Sequence, residues 1–154
     1  MKNKRILVFI LIIAVLLVTS CQESGKIEIF GIDKIPEKYI GFSVYGIYGE
    51  EIIVDIYVNS DYKKDISVAD LSRDICRELN MPLVFSGVGA LAYVQGINSL
   101  FEFDHGPESG WLYSVNGEYQ GMGCDAYILQ DGDYVEWRYT LDFGRDLGAF
   151  VLGE

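Results

Sequence analysis

The sequence predicts an α+β domain, one helix laid across one sheet, and three observations carry that prediction. Residues 39–61 read as a strand pair, Ser67 to Asn80 as a capped amphipathic helix, and the rest as short apolar segments divided by turn residues. Hairpin, helix, then a run of strands is the order expected when a helix covers one face of an antiparallel or mixed sheet. At 154 residues the chain has room for one such domain and an appendage.

Taken in order, residues 27–38 (IEIFGIDKIPEK) are either a short strand or a lead-in ending near Pro36. In 39–61 the alternation of Ile52, Val54, Ile56 and Val58 places four apolar side chains on one predicted core face, and Gly49-Glu50 suits a two-residue turn. Ser67-Val-Ala-Asp70 is a capping-box variant, Val68, Leu71, Ile75, Cys76 and Leu79 form an apolar stripe, and Pro82 stops the helix from resuming. Strands are expected in LVFSG (83–87) and LAYVQGINSLFEF (91–103), and again on both sides of Asp131-Gly132 in AYILQDGDYVEWRYTL (126–141).

The segment SGWLYSVNGEYQG (109–121) is the most informative hairpin. Asn116-Gly117 asks for a type I′ turn, in which both central residues have positive φ. Val115 then faces Glu118, Ser114 faces Tyr119 and Tyr113 faces Gln120. Trp111, Tyr113 and Val115 share one face; Leu112, Ser114 and Tyr119 share the other. Two readings follow. Either Trp111, Tyr113 and Val115 are core and Tyr119 is a lone surface ring, or Tyr119, Gln120, Gly121 and Met122 form a contact loop. Large stiff rings and an adaptable thioether favour contact at low entropic cost. Val135, Trp137 and Tyr139 are expected in the core or on a sheet edge, leaving Glu136 and Arg138 as an exposed pair.

The appendage is the N-terminus. A basic start, Met1-Lys-Asn-Lys-Arg5, precedes the apolar run Ile6–Val18, too short for a spanning helix and matching a secretory signal. Val18-Thr19-Ser20-Cys21 resembles the bacterial lipobox, in which small residues precede a Cys that receives diacylglycerol. The resemblance implies a signal peptide over 1–20, lipidation at Cys21, a tether or lead-in over 21–38 and the domain over 39–154. It further implies anchoring to the extracytoplasmic face of a bacterial membrane, where several acyl chains hold a protein stably. The alternative is an ordinary secretory signal with a chance cysteine. Removing residues 1–20 takes away Lys2, Lys4 and Arg5, leaving nine basic against 23 acidic side chains, a net charge of −14. Such a chain is expected to avoid nucleic acid, whose affinity comes from neutralised phosphates.

Chemistry-bearing motifs are sparse. Asp131-Gly132-Asp133 reads as a turn, because a calcium loop needs more oxygens at fixed spacing. Gly121-Met-Gly-Cys-Asp-Ala126 spells a dinucleotide fingerprint but continues toward a strand, not a helix. His105 is the only histidine, and Glu102 and Asp104 read as one solvated strand face. No catalytic or metal-binding set is predicted, no cofactor is required, and an enzyme is not expected. Cys76 and Cys124 remain once Cys21 is acylated; outside the cytoplasm they either pair or stay as two free thiols.

Gly110-Trp111-x-Tyr113-Ser-Val115-Asn116-Gly117, followed by Leu129-x-Asp131-Gly132-Asp133-x-Val135-Glu136-Trp137, resembles the transcobalamin-like C-terminal domain family, with weaker likeness back to Ile53. The resemblance implies a β-grasp-like sheet curled around one helix and a ligand-binding role. The ligand would be a small molecule: cobalamin, another corrinoid or another flat cofactor-sized molecule. It also implies contact through Trp111, Tyr113, Tyr119, Gln120, Gly121 and Met122. The helical barrel that holds the other side of the corrin in animal carriers has no counterpart here. A membrane transporter or second surface protein is therefore expected to complete the cavity. The competing expectation is a surface interaction or adhesion module with no small ligand.

Overall fold

The computed structural model describes residues 26–47 and 51–149. The signal segment, Cys21 and the Gly49-Glu50 turn lie outside the described residues.

Among the described residues, nine strands and one α-helix make an α+β fold. β1 (Ile29–Phe30), β2 (Tyr39–Tyr45) and β3 (Ile52–Asn59) precede α1 (Val68–Glu78). β4 (Leu83–Ser86), β5 (Tyr93–Ile97) and β6 (Leu100–Phe101) follow, then β7 (Gly110–Val115), β8 (Glu118–Tyr119) and β9 (Tyr134–Thr140). The main sheet is mixed, in the order β1-β3-β2-β9-β7-β8, and β4-β5-β6 form a small second sheet. β2 and β9, far apart in sequence, run parallel at its centre. That position explains their composition: Phe42, Val44, Val135 and Trp137 are all essentially inaccessible.

The helix starts where its capping residues place it. The Ser67 side chain accepts from Asp70 N, and Val68, Ala69, Leu71, Ser72, Ile75 and Cys76 are buried. Ser72 Oγ donates to Val68 O and accepts from Trp137 Nε1 at 2.9 Å, fastening the helix to β9 at the middle of the core. The 109–121 hairpin has the expected register, with Ser114 opposite Tyr119 and Val115 opposite Glu118. Asn116 and Gly117 have φ of 55° and 80°. The Asn116 side chain also receives Tyr134 N and donates to Asp133, so the turn is locked to the start of β9.

Several expectations are corrected. Residues 126–129 are not a strand of the sheet. Ile128 makes a single bridge to Ser67, and Leu129 N donates to Ile66 O, so this segment runs past the helix start. Glu102 and Asp104 do not share a strand face, because Phe103 has φ 69° and the chain turns there; Asp104 accepts from Phe101 N and Glu102 from Gln95. Leu79 is 41 % and Ile52 58 % exposed, since each lies at an element's end where the partner layer has run out. Glu136 and Arg138 are partly buried, with the guanidinium 4.3 Å over the Tyr45 ring. Of the two readings left open for 27–38, the short strand is the one found: β1 pairs with β3, and Ile27 and Ile29 pack on the core.

Replacing Ser72 with Ala removes the acceptor of the buried Trp137 N–H. A loss of about 1–3 kcal/mol is expected, measured as a lower midpoint in urea unfolding without change in the native far-ultraviolet spectrum.

Candidate functional site

The site grows from the alternation of two neighbouring strands. β7 turns Trp111 and Tyr113 inward, and β9 turns Trp137 and Tyr139 beside them. The rings pack at 5.5 Å (Tyr113–Trp137) and, edge to face, at 5.3 Å (Trp111–Tyr139). Every polar tip has a partner. Trp111 Nε1 donates to Leu100 O, Tyr113 OH to Met122 O and Tyr139 OH to Phe101 O. Trp111 and Tyr113 are therefore fixed floor: they are 6 % and 7 % exposed.

Over that floor two loops are stitched together by their backbones. Gly123 N donates to Ala90 O at 2.9 Å and Cys124 N to Ala92 O at 3.1 Å. The approach is so close that a Cβ at residue 123 would stand 2.6 Å from Ala90 C and O, so glycine is required there. Asp125 secures the seam by accepting from Gly89 N and facing Arg73 of the helix at 3.5 Å. Arg73 in turn lies 4.4 Å over the Phe85 ring.

Between floor and loops is a cavity of about 490 Å³, within the size range of small-molecule sites. Trp111, Tyr113, Tyr119, Gln120, Gly121 and Met122, the six residues nominated from the sequence, all line it. Tyr119 and Gln120 are half-buried and Met122 is exposed. The sequence reading missed the opposite rim, formed by Ala90, Leu91 and Tyr93, together with Leu112, Phe143 and Ala149. Gly89-Ala-Leu-Ala92 offered a signal, because a glycine-led apolar run without alternation is not a good strand. Leu91 is 79 % exposed and Phe143 53 %, so the rim presents apolar surface at the mouth.

No Asp, Glu, Lys, Arg or His side chain is among the described residues lining the cavity. Burial pushes the Tyr113 and Tyr119 phenols above their usual range, so both stay neutral hydrogen-bonding groups. Burial likewise pushes the Cys124 thiol up to about 11, and its Sγ lies 3.4 Å from Ala92 O. The arrangement suits an uncharged body resting on aromatic rings. Among the described lining residues there is neither an activated nucleophile nor a general base. Among the described residues no three His, Cys, Asp or Glu side chains come together as a metal site.

The pairing left open for Cys76 and Cys124 is not formed; both thiols are free and buried. They face different surroundings. Cys76 lies with Met81 and Leu83 beside the end of the helix, and Cys124 in the cavity wall against Ala92.

Residues 78–140 match a family model described as a domain of unknown function, DUF4430. The match runs from the end of α1 through β9 and includes all six nominated residues. No curated protein matches the chain. Among solved structures, the chain is similar to a "putative metal binding protein" from Ruminococcus gnavus ATCC 29149. The likeness has a TM-score of 0.50 and 15 % identity, covering 68 % of this chain and 97 % of that one. It extends to the fold.

Burial raises the Cys76 thiol to about 12 and Cys124 to about 11, from an ordinary value of 9.0. Both are thus protonated at neutral pH in the folded chain and are expected to resist iodoacetamide until denaturant is added. The sign for stability follows: the contribution is full below pH 9 and is lost as pH rises through 9 toward 11–12, because the unfolded chain ionises first. Urea midpoints measured from pH 8 to pH 11 should fall, with a smaller fall in Cys124→Ser.

Proposed function

We propose that this chain is a non-enzymatic binding protein whose cavity receives the flat, uncharged body of a small ligand. The observation that supports it best is the cavity itself: an aromatic floor, an adaptable rim of Tyr119, Gln120 and Met122, and no charged side chain lining it among the described residues. In a chain of net charge −11, a wall without charge is a selective feature. It favours ligands that bring rings and amides over those that bring phosphates or carboxylates, since a buried anion without a partner is costly.

The finer reading combines the transcobalamin-like resemblance of the two turn motifs with a β-grasp-like arrangement of sheet and helix. On that reading a corrinoid such as cobalamin is the first ligand to test, carried by a lipoprotein anchored through Cys21 on the outer side of a membrane and passed to a transporter. The name of the Ruminococcus gnavus protein suggests a metal. A bare cation finds no ligand set in this cavity, whereas a metal already held in an organic macrocycle suits it.

The test is an absorbance titration of the full chain in detergent with cobalamin and, separately, with a metal-free corrin. Saturable binding below millimolar is expected. Met122→Ala should weaken it about fivefold, the equivalent of roughly 1 kcal/mol of apolar contact. Absence of binding by either ligand up to millimolar would overturn the small-ligand reading in favour of a surface interaction module.

A further inference from the structure

Among the described residues, the cavity also runs along an open strand edge. Asn116 donates its N–H to Tyr134 O across the boundary between β7 and β9. Ser114 and Leu112 lie two and four residues back, opposite Glu136 and Arg138. Backbone groups alternate sides along an antiparallel strand, so even-numbered residues of β7 address β9 and odd-numbered ones address the other side. There Val115 meets Glu118, but β8 ends at Tyr119. The backbone N–H and C=O of Trp111 and Tyr113 thus point where β8 does not extend, and among the described residues no backbone or side-chain group bonds them. Both residues are buried, and buried backbone groups rarely stay unpaired, because each orphan carries its full desolvation cost.

The lining confirms where this edge lies. Trp111, Leu112 and Tyr113 are consecutive and point to alternate faces, yet all three border the same cavity. Only a space running along the edge of the strand meets both faces. On the inner side its wall is Ala92 and Val94; on the outer side, Phe143 and Ala149, with the Gly144 turn lying against Leu112.

We propose that the free edge of β7 accepts an extended peptide segment of a partner protein as an added strand. Its amides pair with the backbone of Trp111 and Tyr113, and its alternate apolar side chains enter the two halves of the cavity. The occupant follows from complementarity. Donors and acceptors repeat every second residue, about 6.8 Å apart, which is the pattern of another extended chain. The uncharged lining selects apolar side chains where the segment enters, and the acidic chain favours basic residues at its flanks. The inference rests on the cavity being a binding site and adds the class of protein partner that uses it.

The experiment is amide exchange of the ¹⁵N-labelled full chain in detergent, alone and with the capped peptide acetyl-Lys-Val-Ser-Val-Ser-Val-Lys-amide at millimolar concentration. Without peptide, the Trp111 and Tyr113 amides should exchange at least tenfold faster than those of Leu112 and Ser114. With peptide they should slow at least tenfold, and a fully N-methylated version of the peptide should have no effect. Equal protection without peptide, no change with it, or an equal effect of the methylated version would each overturn the proposal. The cobalamin titration reads the small-ligand site separately, so each reading can fail without the other.

Discussion

The backbone of residues 123–127 serves two masters, and the site depends on it. Its carbonyls at Cys124 and Tyr127 accept from Ala69 N and Val68 N, two donors that the first turn of α1 cannot satisfy within the helix. Its amides at Gly123 and Cys124 donate to Ala90 and Ala92. One short segment therefore caps the helix and holds the cavity's wall at once. Because α1 is itself bolted to β9 through Ser72 and Trp137, the wall stands in fixed relation to the aromatic floor. A site built on such a frame needs little reorganisation when it is filled.

What the sequence disclosed follows from the range of the forces involved. The hairpin at Asn116-Gly117 was readable down to its register, because positive φ at two residues and a period of two are local properties. The helix and its cap were readable for the same reason. Residues 126–129 were not: Tyr127, Ile128 and Leu129 have the composition of a strand, but the helix start claims their hydrogen bonds first. Phe103 at positive φ was equally hidden, since it depends on Asp104 folding back onto Phe101 N and on Ser109 O receiving Phe103 N. The six contact residues could be nominated because they sit on one local hairpin and its loop. Leu91 and Phe143, contributed from distant parts of the chain, could not, because only the tertiary fold brings them to the same rim.

The site divides into a part that is finished and a part that is not. Trp111, Tyr113, Trp137 and Tyr139 have their rings packed and their polar tips bonded, so their side chains contribute shape and little further hydrogen bonding. Leu91, Met122 and Phe143 are large, apolar and about half or more exposed. Covering such side chains is favourable by about 25 cal/mol per Å², and that gain is available only to whatever occupies the mouth. On the proposed reading, discrimination between ligands belongs to the rim, while the floor sets the thickness and flatness of what can enter.

Charge sharpens that division. Three acidic residues on segments that border the cavity are engaged outside it: Asp125 by Gly89 N and Arg73, Glu136 by Arg138 and Ser114, Asp146 by Leu141 N and Thr140. Each carboxylate therefore works as a clamp on a loop or strand bordering the cavity, not as a ligand group within it. An anionic molecule approaching the mouth meets the long-range repulsion of a strongly acidic chain and then a wall with no cation to receive it. A neutral or basic one meets neither obstacle, so the charge distribution disfavours anions at the mouth.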